Sequence, residues 1–158
     1  MVKHYTNFNI KKIHRGSIIL IGNFDGLHLG HQKLFQLAQS YKKKYKLKIG
    51  VVNFQPMPKM FFNKKLKNFR LSNINQKIKL LNTLKVDFVI TKKFDKKFSK
   101  TKALNFVTQV LNKKLSPKFI FVSNNFRFGN KREGDVNLLK KYENQFDCRV
   151  VKPEPLIK

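Results

Sequence analysis

The residues best suited to chemistry are two histidines three positions apart, His28 and His31, with Gly30 between them. They follow an aliphatic run and stand where the apolar spacing becomes helical, so they belong to a strand-to-helix turn. The N–H groups at the amino end of a helix carry a partial positive charge that attracts phosphate oxygens. Imidazoles at such a turn can donate hydrogen bonds to the charge that develops during phosphoryl transfer. The turn therefore predicts phosphate chemistry.

Two other interpretations of these histidines are weaker. A histidine is most often a structural side chain, but this turn holds two of the four histidines in the chain. A metal site is less favoured still, because no carboxylate or thiol partner lies at ligand spacing from them. We therefore expect no metal ion bound by the protein itself.

Two further loops have unusual sequences. Residues 54–62 read Phe-Gln-Pro-Met-Pro-Lys-Met-Phe-Phe, in which the prolines forbid regular structure. An apolar loop of this kind suits the face of a planar ring, although Phe61 and Phe62 are alternatively ordinary core residues. Residues 125–129 read Asn-Phe-Arg-Phe-Gly and are followed by Gly and Asp at positions 134–135. Both loops are candidates for ligand binding.

The apolar pattern of the chain alternates between strand and helix. Apolar runs predict five strands, over residues 17–22, 48–54, 86–91, 119–123 and 148–151. Helical spacing predicts helices over residues 30–45 and 101–115, one capped by Ser72 and a short one capped by Asp135. This order indicates an α/β fold, a Rossmann-like parallel five-stranded sheet with helices on both faces. Ligands bind such sheets beyond the carboxyl ends of the strands, where the three loops fall.

The helices are expected to turn an apolar stripe towards the sheet. The residues predicted to face inward are Leu34, Leu37, Ala38, Tyr41 and Tyr45; Leu71, Ile74, Ile78 and Leu81; Leu104, Val107 and Leu111; and Leu138, Leu139 and Tyr142.

Lysine dominates the charge balance. The 158 residues include 35 Lys+Arg against 8 Asp+Glu, a formal net charge of +27. A basic nucleic-acid-binding domain is therefore an alternative function, and it would need its basic residues on one face. The lysines are instead scattered along the sequence, and Lys, Asn, Phe and Ile all have A/T-rich codons, so genome composition explains much of the excess. The same positive field would assist binding of phosphorylated substrates.

The composition and the apolar pattern also exclude several classes of protein. Hydrophobic residues make up 41% of the chain, enough to bury a core, so disorder is not expected. The single cysteine, Cys148, excludes an intramolecular disulfide and fits a reducing compartment. The longest aliphatic run, Ile18–Ile21, is far too short to span a membrane, and residues 1–12 lack a signal-peptide core. We expect a cytoplasmic domain with no membrane partner.

Residues 22–31 resemble the G-x-F-D-G-x-H-x-G-H signature of the nucleotidylyltransferase superfamily. The proline loop and the Asn-Phe-Arg-Phe-Gly segment narrow the resemblance to the FMN adenylyltransferase module of the bacterial bifunctional riboflavin kinase/FAD synthetase. The resemblance runs from about residue 16 to about residue 155. It implies a fold of the nucleotidylyltransferase type. It also implies transfer of AMP from ATP to FMN, giving FAD and pyrophosphate, with Mg2+ carried on the nucleotide.

The resemblance implies a role for each matching position. The ATP site would be lined by Gly22, Asn23, Phe24, Asp25 and Gly30. His28 and His31 would contact the phosphates of the nucleotide and stabilise the transition state. An apolar wall for the flavin ring would be formed by Phe54, Pro56, Pro58 and Phe62. Asn125 would hydrogen-bond the flavin, and Arg127 would lie near the FMN phosphate.

The chain departs from the pattern of the family at several points. Gln55 and Met57 stand where Glu and His are frequent, and Asn125 stands where Asp is common. An I-S-S-T-x-I-R segment, which in the family supplies hydroxyl groups and an arginine to the ATP phosphates, would come after Lys158, as would the riboflavin kinase domain. We therefore expect residues 1–158 to form one adenylyltransferase domain, incomplete at its C-terminal edge, with weak flavin binding and little FAD synthesis.

Two alternatives to this function stay open. One is a basic nucleic-acid-binding domain built on a nucleotide-binding fold, which salt-sensitive binding to DNA or RNA would reveal. The other is a different nucleotidylyltransferase, such as a cytidylyltransferase or a pantetheine-phosphate enzyme. The proline loop and the Asn-Phe-Arg-Phe-Gly segment argue against the second alternative, and a test of flavin binding would decide it.

Overall fold

The fold is described from a computed structural model, for residues 2–22, 29–55, 74–123 and 125–152, with the backbone alone at 29–31 and 74–78. The strands in these ranges are β1 Lys3–Tyr5, β2 Ile18–Ile21, β3 Ile49–Gln55, β4 Phe88–Lys93, β5 Phe119–Phe121, β6 Arg127–Phe128, β7 Gly134–Asp135 and β8 Arg149–Val151. The helices are α1 Leu29–Tyr45, α2 Ile74–Thr83, α3 Lys96–Ser99, α4 (an α-helical turn Ala103–Asn105 and a π-helix Phe106–Leu115), α5 Val136–Lys141 and α6 Glu143–Phe146. Short 3-10 turns occur at Lys12–His14 and Asn130–Arg132.

Six strands form one parallel sheet in the order β1-β4-β3-β2-β5-β8. Strand β2 is central: Ile21 is in register with Val52 of β3, and Leu20 with Phe121 of β5. The predicted α/β class and parallel sheet are confirmed, and the five predicted strands match observed ones to within two residues at each end. Strands β6 and β7 form a separate antiparallel pair.

The prediction of five strands is wrong by one edge strand. Strand β1 pairs with the start of β4, where Lys3 is in register with Phe88. It has only three residues, and Lys3 and His4 are exposed, so no apolar run marks it in the sequence. A hydrogen bond from the Lys3 N–H to the Asp87 carbonyl (3.0 Å) and the buried side chain of Val2 hold it in place.

Both faces of the sheet are covered by helices, as predicted. Successive strand residues point to opposite faces, so Ile18, Leu20 and Val51 share one face while Ile19, Ile21 and Val52 share the other. The first face packs against Leu34, Phe35 and Ala38 of α1 and Leu81 of α2. The second packs against Val107 and Leu111 of α4 and Leu139 of α5. Within the described ranges, no helix is long and apolar enough to cross a membrane.

Three of the residues predicted to face inward are exposed instead. Leu104 has 48% of its surface exposed, because its neighbour Ala103 occupies the inward position at the start of α4. Leu37 and Tyr45 of α1 are 36% and 45% exposed, so they border the apolar stripe of that helix. Tyr45 still lies 4.9 Å from the ring of Phe119. The apolar spacing therefore located the helices and misplaced the margins of their buried faces.

Local contacts explain where α5 begins and why position 50 of β3 is a glycine. Asp135 caps α5 as predicted, since its carboxylate accepts a hydrogen bond from the Leu138 N–H (3.0 Å). The predicted cap Ser72 lies outside the described residues. In β3, Gly50 leaves room for the fully buried ring of Phe88, which a Cβ at position 50 would overlap. These contacts set where α5 begins and how closely β4 packs beside β3.

Candidate active site

The carboxyl edge of the sheet has a topological switch point at β2. The chain continues from β2 to β3 on one side, whereas β5 joins β2 on the other. Gly22 leaves β2 at this point with its N–H bonded to the Val52 carbonyl (3.0 Å). A crevice beside such a point is where open α/β sheets bind ligands.

Helix α1 brings its amino end to the same edge. Gly30 and His31 belong to its first turn, and that turn contains no acidic residue. Within the helix, therefore, nothing offsets the partial positive charge of the first N–H groups, which favours an anion there. The predicted residues Asn23, Phe24, Asp25 and His28 lie outside the described residues, as do Pro56, Pro58 and Phe62.

Strands β3 and β4 extend beyond the carboxyl end of β2. Phe54 is in register with Lys92 and Gln55 with Lys93, after the last register pair of β2. The half-buried ring of Phe54 therefore stands at the carboxyl edge, where the sequence predicts a wall for a planar ligand.

A continuous row of phenylalanine rings starts at Phe54. Ring centroids are 5.4 Å apart from Phe54 to Phe98, 6.3 Å from Phe98 to Phe106, and 5.5 Å from Phe106 to Phe128. Phe126 stacks on Phe128 at 5.4 Å. Phe106 and Phe128 are buried, whereas Phe54, Phe98 and Phe126 are half-buried. This aromatic row connects the end of β3 with the Asn-Phe-Arg-Phe-Gly segment, so two predicted ligand loops share one apolar support.

The β6–β7 hairpin and the residues just before it carry the other two described candidates. Asn125 is exposed, and its Oδ1 accepts a hydrogen bond from the Ser123 hydroxyl (3.0 Å). The Arg127 guanidinium lies 3.5 Å from Asp135 Oδ2, and both side chains are close to half exposed. An ion pair of this exposure contributes little to stability, so a phosphate can compete for the guanidinium at small cost.

The hairpin is attached to the start of α4. The Ala103 N–H donates to Glu133 Oε1 (2.8 Å), and the Asn130 N–H donates to the Thr101 carbonyl (2.7 Å). Gly129 has a φ of +82° and lies so close to Ala103 that a Cβ would be 2.7 Å from its Cα. Sequence reasoning missed Glu133, since only the folded chain shows that it caps a helix thirty residues earlier.

A buried amide lies at the end of β3. Asn53 is only 1% exposed, and neither Nδ2 nor Oδ1 has a hydrogen-bond partner among the described residues. Because strand residues alternate, it shares the face of Val51, the side covered by α1. The sequence contains no sign of this, since an asparagine at a strand end usually marks a turn.

Two groups with shifted pKa values lie away from the carboxyl edge. Burial, then the nearby carboxylate of Glu143, raises the pKa of the Cys148 thiol to about 12, so this thiol is not a nucleophile. Burial, then the charge of Lys48, lowers the pKa of His14. His14 Nδ1 is 2.7 Å from the Tyr5 hydroxyl, and its ring stacks on Phe88. Both groups are structural.

Nearly the whole chain is similar to a known protein family: the family model described as FAD synthetase matches residues 10–157. The chain belongs to the FAD synthetase family. The matched range contains the histidine turn, the proline loop and the hairpin, so the candidate site as a whole lies within it. The roles of the individual site residues stay predictions.

Individual similar proteins support the assignment to this family. A bifunctional riboflavin kinase/FMN adenylyltransferase of Buchnera aphidicola subsp. Acyrthosiphon pisum (strain APS) is 42% identical over 150 residues, covering 95% of this chain and 48% of the relative. The chain thus spans about half the length of that curated relative. A protein from Streptococcus pneumoniae, named a macrolide-efflux protein, has a crystal structure matching with a TM-score of 0.83 and 25% identity, over 100% of this chain and 60% of the other.

A second solved structure shows the fold at greater sequence distance. Pantoate-beta-alanine ligase from Francisella tularensis, complexed with beta-gamma ATP and beta-alanine, matches with a TM-score of 0.60 and 14% identity, over 100% of this chain and 69% of the ligase. At that identity the likeness concerns the fold alone.

Proposed function

We propose that this chain is the FMN adenylyltransferase module of a FAD synthetase, which transfers AMP from ATP to FMN and forms FAD and pyrophosphate. The observation that carries the proposal is the family match over residues 10–157, which includes the histidine turn and both other loops. The carboxyl edge supports it, because the amino end of α1 and the aromatic row lie at the ends of neighbouring strands.

The amino end of α1 is the proposed site for the ATP phosphates. Gly22, Asn23, Phe24, Asp25 and Gly30 would line the nucleotide site. His28 and His31 would donate hydrogen bonds to the phosphate oxygens as charge builds up on them. Mg2+ would be carried by the nucleotide and would neutralise part of its charge.

The aromatic row supports the proposed flavin site. Phe54 stands at one end of the row, and Pro56, Pro58 and Phe62 would complete the wall for the isoalloxazine ring. At the other end, Asn125 would hydrogen-bond the flavin and Arg127 would meet its phosphate, exchanging the exposed ion pair with Asp135 for a stronger phosphate contact. An apolar wall with polar groups at one end suits a ligand with a flat ring and a charged tail.

The reaction needs positioning more than proton transfer. A phosphate oxygen of FMN attacks the α-phosphorus of ATP, a new P–O bond forms, and the bond to the bridging α–β oxygen breaks. Pyrophosphate leaves with the bonding electrons, and no proton has to be removed from the nucleophile, since the phosphate is already an anion. Alignment and neutralisation of the phosphate charge can therefore supply the catalysis.

We propose that the module works in the cytoplasm and that it is joined to a riboflavin kinase domain, which would supply FMN. A downstream Ser/Thr/Arg segment would add donors to the triphosphate, as the family resemblance implies. Residues 1–158 alone are therefore expected to form little FAD, and residues 1–158 with that segment are expected to form FAD efficiently.

The test is FAD formation from ATP and FMN, measured by chromatography and pyrophosphate release, on the chain extended by that segment. His28→Ala or His31→Ala should slow turnover by about 10²–10³-fold, the scale for one lost transition-state donor. FMN affinity should stay unchanged. His4→Ala is the matched control, because His4 lies on edge strand β1, where it contacts Thr91 (3.0 Å). Absence of FAD formation by the unsubstituted protein would overturn the function, and normal turnover in both variants would remove these histidines from it.

A further inference from the structure

A lysine-rich segment lies between β4 and α4. Six lysines occur among residues 92–102, and we call them the lysine rim: Lys92, Lys93, Lys96, Lys97, Lys100 and Lys102. The segment contains a single acid, Asp95. The Asp95 carboxylate accepts a hydrogen bond from the Phe98 N–H (2.8 Å) and so caps α3.

The lysine rim borders both ends of the proposed flavin site. At its start, the Phe94 N–H donates to the Gln55 carbonyl (2.9 Å), next to Phe54 in the proposed flavin wall. At its end, the Thr101 carbonyl accepts from the Asn130 N–H in the β6–β7 hairpin (2.7 Å). Between them, Phe98 belongs to the aromatic row, with Lys92 Nζ 5.4 Å from its ring. The rim therefore follows the same support from one predicted ligand loop to the other.

Most charges of the rim face solvent, and the single acid of the segment, Asp95, offsets only part of them through its proximity to Lys92 and Lys93. Lys93, Lys96, Lys97 and Lys100 are exposed. Among the described residues, the ion pairs are Lys42–Asp87, Lys118–Asp147 and Arg127–Asp135, and none includes a rim lysine. A group of like charges beside a ligand site attracts a small anion before contact and raises its association rate.

We propose that the lysine rim is an electrostatic entrance that speeds capture of the phosphorylated flavin and so favours FMN over neutral riboflavin. The inference rests on the proposed function, since it assumes that FMN binds along the aromatic row. The FMN phosphate carries about two negative charges near pH 7, whereas riboflavin has the same ring and no phosphate. The rim therefore acts on one ligand and not on the other, and riboflavin provides an internal control.

The experiment compares two variants with the same net charge. One carries Lys→Gln at positions 93, 96, 97 and 100. The control carries Lys→Gln at positions 43, 44, 113 and 114, which are also exposed but lie in the last turns of α1 and α4, at the opposite edge of the sheet. Each lowers the formal charge from +27 to +23. Circular dichroism checks folding, and stopped-flow flavin fluorescence measures association of FMN and riboflavin at about 10 mM and about 1 M salt, where the Debye length is about 30 Å and about 3 Å.

At low salt, the rim variant should associate with FMN about five- to ten-fold more slowly than the unsubstituted chain, and the control variant less than about two-fold more slowly. Riboflavin association should be equal in all three proteins, and the differences for FMN should vanish at high salt. Equal FMN rates in the rim and control variants would overturn the inference while leaving the proposed function intact. The inference would also be overturned if the rim variant lost its binding to single-stranded DNA while its rate of FMN association stayed unchanged. Failure of the unsubstituted chain to bind FMN would overturn both proposals.

Discussion

Replacing Asn53 by leucine should stabilise the fold. The side chain is buried at the end of β3, and neither amide atom has a hydrogen-bond partner among the described residues. Leucine has the same number of side-chain heavy atoms and the same branching at Cγ, so Asn53→Leu needs little repacking. It removes two polar atoms that lose their hydration on folding.

The size of the effect follows from this desolvation. A buried polar group without a partner costs about 1–3 kcal/mol, and replacing it by an apolar group of similar shape recovers most of that cost. Transfer of the leucine side chain out of water is also favourable, whereas transfer of the amide is unfavourable. We therefore expect Asn53→Leu to raise the free energy of unfolding by about 1–2 kcal/mol. For a chain of about this length, that corresponds to an increase in Tm of about 2–8 °C.

Urea denaturation followed by circular dichroism measures the change. The control is Asn137→Leu at an exposed position of α5, which should alter the free energy of unfolding by no more than about 0.5 kcal/mol. A loss of stability in Asn53→Leu, with the control unchanged, would refute the reasoning, because it would mean that the amide is hydrogen-bonded in solution.

Two more predictions concern the amino ends of the strands. Gly50→Ala should lower the free energy of unfolding by about 1–3 kcal/mol or more, because the new Cβ overlaps the buried ring of Phe88; urea denaturation measures it, and an unchanged midpoint would contradict that packing. His14 has a lowered pKa in the fold, so its contribution to stability is constant above the unfolded pKa of about 6.5 and decreases as the pH falls below that value. Urea midpoints at several pH values between 5 and 7.5 should show a smaller decrease in His14→Gln than in the unsubstituted chain, whereas identical curves would exclude His14 as a source of the pH dependence.

Local patterns in the sequence anticipated much of the framework. The aliphatic run of β2, the helical spacing in α1 and the Asp135 cap each depend on neighbouring residues, so they could be recognised without the fold. Strand β1 could not, because its three residues form an edge strand only when β4 is already beside them. The exposed Leu104 shows the same limit, since Ala103 takes the inward place only because the hairpin packs there.

For the candidate site too, some features could be predicted from the sequence and others only from the fold. The order and spacing of residues 22–31, 54–62 and 125–129 by themselves determined which chemistry to expect and which family to compare, since each motif is short and continuous. Only the tertiary structure decided how the loops are supported. The aromatic row joins rings from positions 54 to 128, and Glu133 caps a helix thirty residues before it. Such contacts depend on strand order and on helix packing across the sheet, and no local pattern encodes distances between residues so far apart in the chain.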